Sequence, residues 1–255
     1  MFRRTEEGSL VLTVDVGNTY ITFGLFDLAK LKRKGSITTP KRITITEAQG
    51  EIRRFKSDTL AIASVVPGLT RPFITAAKEM KLATFEVTHQ VKTGLEFEYH
   101  DPSTVGADRI ANAVAGLKLY NDNLTIIDFG TATTYDVVLK EGIYLGGIIC
   151  PGIEASLEAM VKQASLIPSV EIKIPDQTIG KNTAECIRSG IIYSTIGQMT
   201  EIIKRVNEET GRVHKVIATG GWGESMKSLC PLIEEVDPDL TLKGIYEIYL
   251  LNQKC

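Results

Sequence analysis

The sequence predicts an α/β protein made of two related halves, each with a mixed sheet flanked by helices. The main observation is a short polar turn that occurs twice, at residues 15–19 and 128–132, 113 positions apart. Each turn follows an apolar run and precedes a second run rich in β-branched residues, which is typical of two hairpin strands. The alternation of strands and helices then begins again after the second turn. We therefore predict two domains, residues 1–121 and 122–255, joined by a short hinge.

Apolar and alternating runs predict the strands of the first half, which cover residues 10–14, 20–26, 34–39, 60–66 and 84–87. The fourth of these strands stops at Pro67 and Gly68, because both residue types break regular structure. Apolar residues at three- and four-residue spacing predict helices over residues 69–81 and 105–120. This order of strands and helices is typical of a mixed sheet with helices packed on it.

The second half repeats this order. Its predicted strands cover residues 124–127, 133–139, 143–149 and 213–218. Its predicted helices cover residues 153–162 and 184–209. Pro151 and Gly152 end the third strand. No low-complexity linker separates the halves, so the boundary is a short hinge and the cleft between the halves is the expected ligand site.

Composition and charge exclude several classes of protein. Hydrophobic residues make up 43% of the chain and charged residues 24%, as in ordinary globular proteins. The formal charge is −2 and no basic stripe with interleaved aromatic residues is present, so we predict neither nucleic acid nor a membrane as a partner. Residues 1–7 lack the apolar core of a secretory signal, which predicts a cytoplasmic protein. Cysteines and histidines lack the spacing of a zinc site or disulfide framework. The charged residues 2–8 suggest no role.

The duplicated turns have the residue types of phosphate-binding loops. Their glycines, Gly17 and Gly130, let backbone N–H groups approach an anionic oxygen closely because no Cβ stands in the way. The preceding aspartates, Asp15 and Asp128, could hold a cation against that phosphate. One such turn alone is more typical of an ordinary hairpin. Its occurrence in both halves favours two sites that face one polyanion.

Residues 106–109, Gly-Ala-Asp-Arg, place an acidic residue and a basic residue at the predicted start of a helix. Backbone N–H groups and the helix dipole favour anions there. Asp108 is a candidate base for a substrate hydroxyl, and Arg109 is a candidate clamp for a substrate carboxylate. The alternative is a structural pair in which the aspartate binds the neighbouring arginine.

Three further glycine-containing segments are candidate ligand loops, at residues 146–152, 180–183 and 219–221. The first suits close passage of the backbone past a ligand, or a tight strand-to-helix turn. The second either presents Thr183 to a ligand or caps the long helix. This segment is not a Walker loop, because Pro175 stands where that loop requires glycine. The third suits the phosphates or adenosine of a nucleotide.

Six blocks of the sequence, taken in order, closely resemble the motifs of type III pantothenate kinases. The blocks cover residues 15–19, 105–112, 128–131, 146–152, 180–183 and 219–221. Residues 239–245 also resemble the final segment of that family. The resemblance implies the actin-like (ASKHA superfamily) ATPase fold with two ribonuclease-H-like halves. It also implies the first step of coenzyme A biosynthesis, in which ATP phosphorylates pantothenate to 4′-phosphopantothenate.

The resemblance implies a role for each matched residue. Asp108 resembles the general base, and Asp128 resembles the ligand of an activating monovalent cation, potassium or ammonium. Asp15 stands near magnesium or manganese. The implied ATP site consists of Asp15, Val16, Gly17, Asn18, Thr19, Tyr20, Ile21, Thr22 and Thr131. The implied pantothenate contacts are Tyr99, Gly106, Ala107, Asp108, Arg109 and Thr183. Because Thr183 reaches across a dimer interface in that family, a homodimer with the active site at the interface is expected.

These features predict an ATP-dependent pantothenate kinase. The competing hypotheses are a non-catalytic nucleotide-binding regulator on the same fold and another small-molecule kinase of the superfamily. A regulator would be expected to carry a DNA-reading helix and a basic surface, which the sequence does not show. An inactive kinase would be expected to lose an acidic residue, whereas Asp15, Asp108 and Asp128 are all present.

Overall fold

The computed structural model describes residues 10–163 and 170–253, which form two compact units. Unit 1 takes the chain up to Leu119 and again from Asp239, and unit 2 consists of Tyr120–Pro238. The predicted division into residues 1–121 and 122–255 therefore differs from the structure in its last segment. That segment belongs to unit 1 because the helix it forms packs on the first sheet.

Each half begins with three consecutive strands, and helices and further strands follow. The strands are β1 (Val11–Val16), β2 (Tyr20–Asp27), β3 (Lys30–Thr38), β4 (Thr59–Ser64), β5 (Ala83–Glu86), β6 (Glu96–Phe97), β7 (Leu124–Phe129), β8 (Ala132–Val138), β9 (Ile143–Pro151), β10 (Lys215–Gly220) and β11 (Glu235–Val236). The helices are α1 (Ile45–Arg53), α2 (Pro67–Glu79), α3 (Ala107–Tyr120), α4 (Ile153–Gln163), α5 (Thr183–Thr210), α6 (Gly223–Leu229) and α7 (Leu240–Leu251).

Unit 1 is built on a mixed sheet with the strand order β3-β2-β1-β4-β5. β1 is antiparallel to β2 and parallel to β4, so the start of β2 and the end of β4 both lie beside the end of β1. Side chains alternate between the two faces of the sheet. One face packs on α1 and α2 through buried residues that include Leu12, Val14, Phe23, Ile62 and Phe73. On the other face Gly24 leaves room for Leu242 of α7.

α7 is joined to α3 by a close approach of the two backbones. A Cβ on Gly244 would overlap the carbonyl oxygen of Ala111, so only glycine lets the helices meet here. Beside this contact, the hydroxyl of Thr241 donates to the buried side chain of Asn112 at 2.8 Å. These contacts link α3, which carries Asp108, to the first sheet through α7.

Unit 2 repeats the arrangement at its centre. Its strands run in the order β11-β10-β7-β8-β9, with β7 antiparallel to β8 and parallel to β10. One face of this sheet packs on α4, α5 and α6 through buried residues that include Ile127, Phe129, Ile191, Met199 and Met226. α5 ends at Gly211, whose φ of 63° is the left-handed conformation that commonly closes a helix. The predicted α/β class, with one mixed sheet in each half, is confirmed.

Several local features depart from the sequence pattern, which predicts none of α6, α7, β6 and β11. β3 begins at Lys30, four residues before its predicted start, because Leu28 and Ala29 turn the chain with φ angles of 46° and 63°. Neither residue type favours such angles, so the turn has no sequence signal. The pattern also fails to predict α1, whose start is marked by the capping box of Thr44 and Glu47.

Among the described residues, no helix combines the length and the apolar character that crossing a membrane requires. Cys150, Cys186 and Cys230 are free thiols. Residues 2–8 and Cys255 lie outside the described residues.

Candidate active site

The first duplicated turn closes the hairpin between β1 and β2. Asp15, one residue before the end of β1, lies directly opposite Thr22 on β2. Their side chains therefore project from the same face of the sheet. Residues 17–19 connect the strands, and the N–H of Gly17 donates to the carbonyl of Tyr20 at 3.0 Å. The predicted strand–turn–strand pattern of this segment is confirmed.

Asp108 lies in the first turn of α3, as the sequence predicts. Its carboxylate oxygen Oδ1 occupies the space that a Cβ on Gly106 would take. The same Cβ would lie 3.3 Å from the side chain of Val65, which follows β4. The N–H of Val65 in turn donates to the carbonyl of Val16 at 3.1 Å. This series of contacts within unit 1 places Asp108 at the sheet edge that carries the first turn.

Burial raises the pKa of Asp108 above its ordinary value. Arg109 opposes this effect, because its backbone N–H donates to Oδ1 at 2.8 Å and its positive charge favours the ionised carboxylate. The effect of burial is the larger of the two. A carboxylate with a raised pKa accepts a proton more readily than an exposed one, which suits a general base. The catalytic role of Asp108 stays a prediction.

The second duplicated turn is one residue shorter and more tightly packed. Only Gly130 and Thr131 connect β7 to β8, and the N–H of Gly130 donates to the carbonyl of Ala132 at 3.1 Å. Gly152, between β9 and α4, packs directly on this turn. A Cβ there would overlap the carbonyl oxygen of Thr131 and lie 2.7 Å from that of Gly130. Glycine is therefore required at position 152, because a side chain would overlap the backbone of the second turn.

Gly220, at the end of β10, packs on the second turn from another direction. Its φ is +83°, which favours glycine, and a Cβ would lie 2.5 Å from the carbonyl oxygen of Phe129. The same Cβ would lie 2.7 Å from Oδ1 of Asp128. The next residue, Gly221, donates its N–H to the Phe129 carbonyl at 3.1 Å. The glycines of this third candidate loop therefore border the carboxylate of the second turn.

Asp128 has a threonine beside it on each of the two neighbouring strands. It lies opposite Thr134 on β8 and beside Thr219 on β10. The hydroxyl of Thr134 is buried and has no hydrogen-bond partner among the described residues. Carboxylate and hydroxyl oxygens are the ligands that hard cations take. The sequence interpretation missed Thr134. Its signal is that a threonine stands opposite the aspartate in both halves, Thr22 being its counterpart in unit 1.

Within residues 10–163 and 170–253, no three side chains of His, Cys, Asp or Glu cluster as a metal site. A cation held by Asp15 or Asp128 would therefore complete its shell with hydroxyl or backbone oxygens, phosphate or water. Magnesium in nucleotide sites often has such a partial protein shell, because it keeps several waters and binds substrate phosphates.

The remaining predicted substrate contacts are divided between the units. Tyr99 is half-buried in the irregular segment before a short 3-10 turn, and Arg109 is buried on α3. Thr183 is exposed as the first residue of α5 in unit 2. Unit 1 thus brings residues 106–109 to the same sheet edge as residues 15–22.

Thr183 does not cap α5. The cap is Asn182, whose side-chain oxygen accepts a hydrogen bond from the N–H of Glu185 at 3.0 Å. Gly180 packs against the first turn of the helix, where a Cβ would lie 2.7 Å from the carbonyl carbon of Glu185. The prediction that residues 180–183 cap the helix is therefore confirmed through Asn182, while Thr183 is exposed at the helix start.

Residues 11–205 match the family model of type III pantothenate kinases. The matched range includes both duplicated turns and residues 106–109. The chain belongs to the type III pantothenate kinase family. The family resemblance is confirmed, and the chain is a member of a family of phosphotransferases. Five of the six sequence blocks lie within the matched range, and residues 219–221 lie beyond it.

This pantothenate kinase family member is also similar to several solved structures over almost its whole length. A protein of Campylobacter jejuni, described as a candidate Baf family transcriptional activator, has a TM-score of 0.62 and 19% identity over 94% of this chain and 98% of that chain. The ethanolamine utilization protein EutJ of Carboxydothermus hydrogenoformans has a TM-score of 0.56 and 15% identity over 96% of this chain and 92% of that chain. Component A of the (R)-2-hydroxyglutaryl-CoA dehydratase of Acidaminococcus fermentans has a TM-score of 0.56 and 12% identity, covering 96% and 99%. At these identities the likeness shows the fold alone, which is the predicted actin-like ATPase fold.

Proposed function

We propose that this protein transfers the γ-phosphoryl group of ATP to the 4′-hydroxyl of pantothenate, the first step of coenzyme A biosynthesis. The observation that carries the proposal is the family match over residues 11–205. The geometry of unit 1 supports it, because a half-buried carboxylate and a glycine turn of the phosphate-binding type lie at one edge of the sheet. The reaction consumes ATP, and we place it in the cytoplasm.

The proposed ATP site consists of residues 15–22 together with Thr131. The glycine of the first turn allows a phosphate oxygen to come close to backbone N–H groups. Asp15 would hold magnesium or manganese, which neutralises charge on the phosphates. The oxygen set of Asp128 and Thr134 suits a monovalent cation, potassium or ammonium, and the buried hydroxyl of Thr134 supports this assignment.

The proposed reaction needs one proton acceptor. The hydroxyl oxygen of pantothenate forms a bond to the γ-phosphorus while the bond from that phosphorus to the bridging oxygen of ADP breaks. The hydroxyl proton passes to the carboxylate of Asp108. Arg109 would bind the carboxylate of pantothenate through charge-assisted hydrogen bonds. Most of the catalysis would come from positioning and charge neutralisation, because phosphoryl transfer has a loose transition state.

The remaining proposed pantothenate contacts are Gly106, Ala107, Tyr99 and Thr183. Gly106 gives the Asp108 carboxylate its place. The exposure of Thr183 supports a contribution from the second copy of a homodimer, since an exposed residue at a helix start can reach a neighbouring chain.

ADP release with potassium present tests this function. Pantothenate is compared with a panel of sugars and acetate as the acceptor, each with ATP and magnesium. We expect turnover with pantothenate and none above the ATPase background with the other acceptors. Turnover on a sugar but not on pantothenate would favour another small-molecule kinase of the superfamily. Nucleotide binding without turnover on any acceptor would favour a non-catalytic regulator.

A further inference from the structure

Thr39, the residue after β3, makes two hydrogen bonds to the first turn. Its hydroxyl donates to the carbonyl of Gly17 at 2.7 Å, and its backbone N–H donates to the carbonyl of Thr19 at 2.9 Å. The backbone bond continues the pairing of β2 with β3 and could be made by almost any residue. The hydroxyl bond spans 22 positions of sequence and depends on the side chain. It is therefore a specific feature of this position.

These two bonds orient other groups of the turn. The peptide bonds are trans, and in a trans peptide the C=O and the following N–H point in opposite directions. Because the Gly17 carbonyl points to Thr39, the N–H of Asn18 points away from Thr39. The Thr19 carbonyl fixes the N–H of Tyr20 in the same way. Thr39 thus sets the direction of two backbone donors on the side of the turn that faces away from β3.

Backbone N–H groups that share one direction in a turn form a site for an anionic oxygen. We infer that Thr39 is a positioning residue for the phosphates of the nucleotide: it does not touch the ligand but fixes the donors of the first turn. The inference rests on the proposed function in taking the nucleotide as the anion bound there. The inference depends on the hydrogen bond from the Thr39 hydroxyl to Gly17, since the backbone hydrogen bond to Thr19 would remain after substitution of the side chain.

A matched set of variants of the full chain tests this role. Thr39→Val keeps the shape of the side chain and removes the hydroxyl, whereas Thr39→Ser keeps the hydroxyl. Thr38→Val is the control, because Thr38 is the exposed preceding residue and its side chain points to the opposite face of the strand. The measurements are the affinity for Mg-ADP by calorimetric titration, the KM values for ATP and pantothenate, and the thermal unfolding midpoint.

We expect Thr39→Val to weaken Mg-ADP binding and to raise the KM for ATP, each by about three- to tenfold, the usual effect of one lost hydrogen bond. The KM for pantothenate should stay unchanged, and the unfolding midpoint should fall by no more than about 4 °C, the size expected for one hydrogen bond. Thr39→Ser should restore nucleotide affinity to within about twofold of the wild type. Thr38→Val should bind Mg-ADP like the wild type.

The inference is overturned if Thr39→Val binds Mg-ADP as tightly as the wild type, or if Thr39→Ser does not restore affinity. A joint rise of both KM values with an unfolding midpoint lowered by clearly more than about 4 °C would also overturn it, since that indicates a purely structural role. Titration with Mg-ADP needs no phosphoryl acceptor, so a failure of the role of Thr39 can be told apart from a failure of the proposed function. A wild type that binds Mg-ADP but does not phosphorylate pantothenate refutes only the proposed function, and a wild type that binds no Mg-ADP refutes both.

Discussion

The two duplicated turns are alike in sequence but are held in different ways. The first has three connecting residues and is fixed by hydrogen bonds to Thr39. The second has two connecting residues and is packed by the glycines Gly152 and Gly220, which belong to other segments. Hydrogen bonds from one residue fix the directions of backbone groups, whereas backbone packing from two segments fixes the position of the turn.

The groups that the two turns present differ accordingly. The first is arranged to direct backbone N–H groups, which suit an anion. The second lies beside the carboxylate of Asp128 and the buried hydroxyl of Thr134, which suit a cation. Two similar turns can thus provide opposite kinds of site, because they differ in length and in the neighbouring residues that hold them.

The largest effect is expected from a residue outside both turns. If the turns bind and α3 carries the chemistry, Asp108→Asn should lower kcat by about 10²- to 10⁴-fold, the usual contribution of a general base. Mg-ADP affinity should stay unchanged, because neither turn is altered. Steady-state kinetics and calorimetric titration measure the two quantities. A near-normal kcat would remove Asp108 from the mechanism.

The raised pKa of Asp108 also predicts how stability and activity depend on pH. Activity of the wild type should fall as the pH falls through this raised pKa, because the base becomes protonated. A carboxyl whose pKa is higher in the folded than in the unfolded state stabilises the fold at low pH, and this contribution is lost as the pH rises through the folded pKa. Asp108→Asn should therefore be at least as stable as the wild type at pH 7, as urea denaturation would show. A clearly less stable variant would contradict this account.

The next effect separates the cations of the two turns. Asp128→Asn should remove the difference in rate between potassium and sodium, whereas Asp15→Asn should keep that difference and raise the magnesium requirement. Each change should reach about tenfold or more, as is common for changes around bound metals. Rates measured in a grid of magnesium and potassium concentrations decide between them. If Asp128→Asn and Asp15→Asn changed the responses to potassium and magnesium in the same way, the proposed difference between the two turns would be contradicted.

The smallest effect concerns packing. Gly152→Ala places a Cβ against two carbonyl oxygens of the second turn and should lower the free energy of unfolding by about 1–3 kcal/mol. Gly17→Ala is the comparison in the first turn, where the Cβ would lie 3.1 Å from the Tyr20 carbonyl oxygen. It should cost less than about 1 kcal/mol. Urea denaturation compares the two, and equal losses would contradict the difference in packing.

Local patterns predict much of this site. The apolar run before each aspartate and the β-branched run after it place Asp15 and Asp128 at strand ends, and the helix start places Asp108. The sequence does not reveal Thr39, because its role depends on which strand lies beside the first turn. Thr134 has a signal, since a threonine stands opposite the aspartate in both hairpins, but its burial depends on tertiary structure. The φ angles at Leu28 and Ala29 are likewise set by tertiary structure.

The fit of Gly244 against Ala111 has a consequence for biosynthesis. Unit 2 is continuous in sequence, whereas unit 1 needs α7, which is made after all of unit 2. At typical rates of translation the ribosome takes about 6–24 s to make the intervening residues. During that interval the first sheet lacks the helix that covers one of its faces. The second unit to begin emerging is therefore the first that can be completed on the ribosome, and the unit with Asp108 is assembled last.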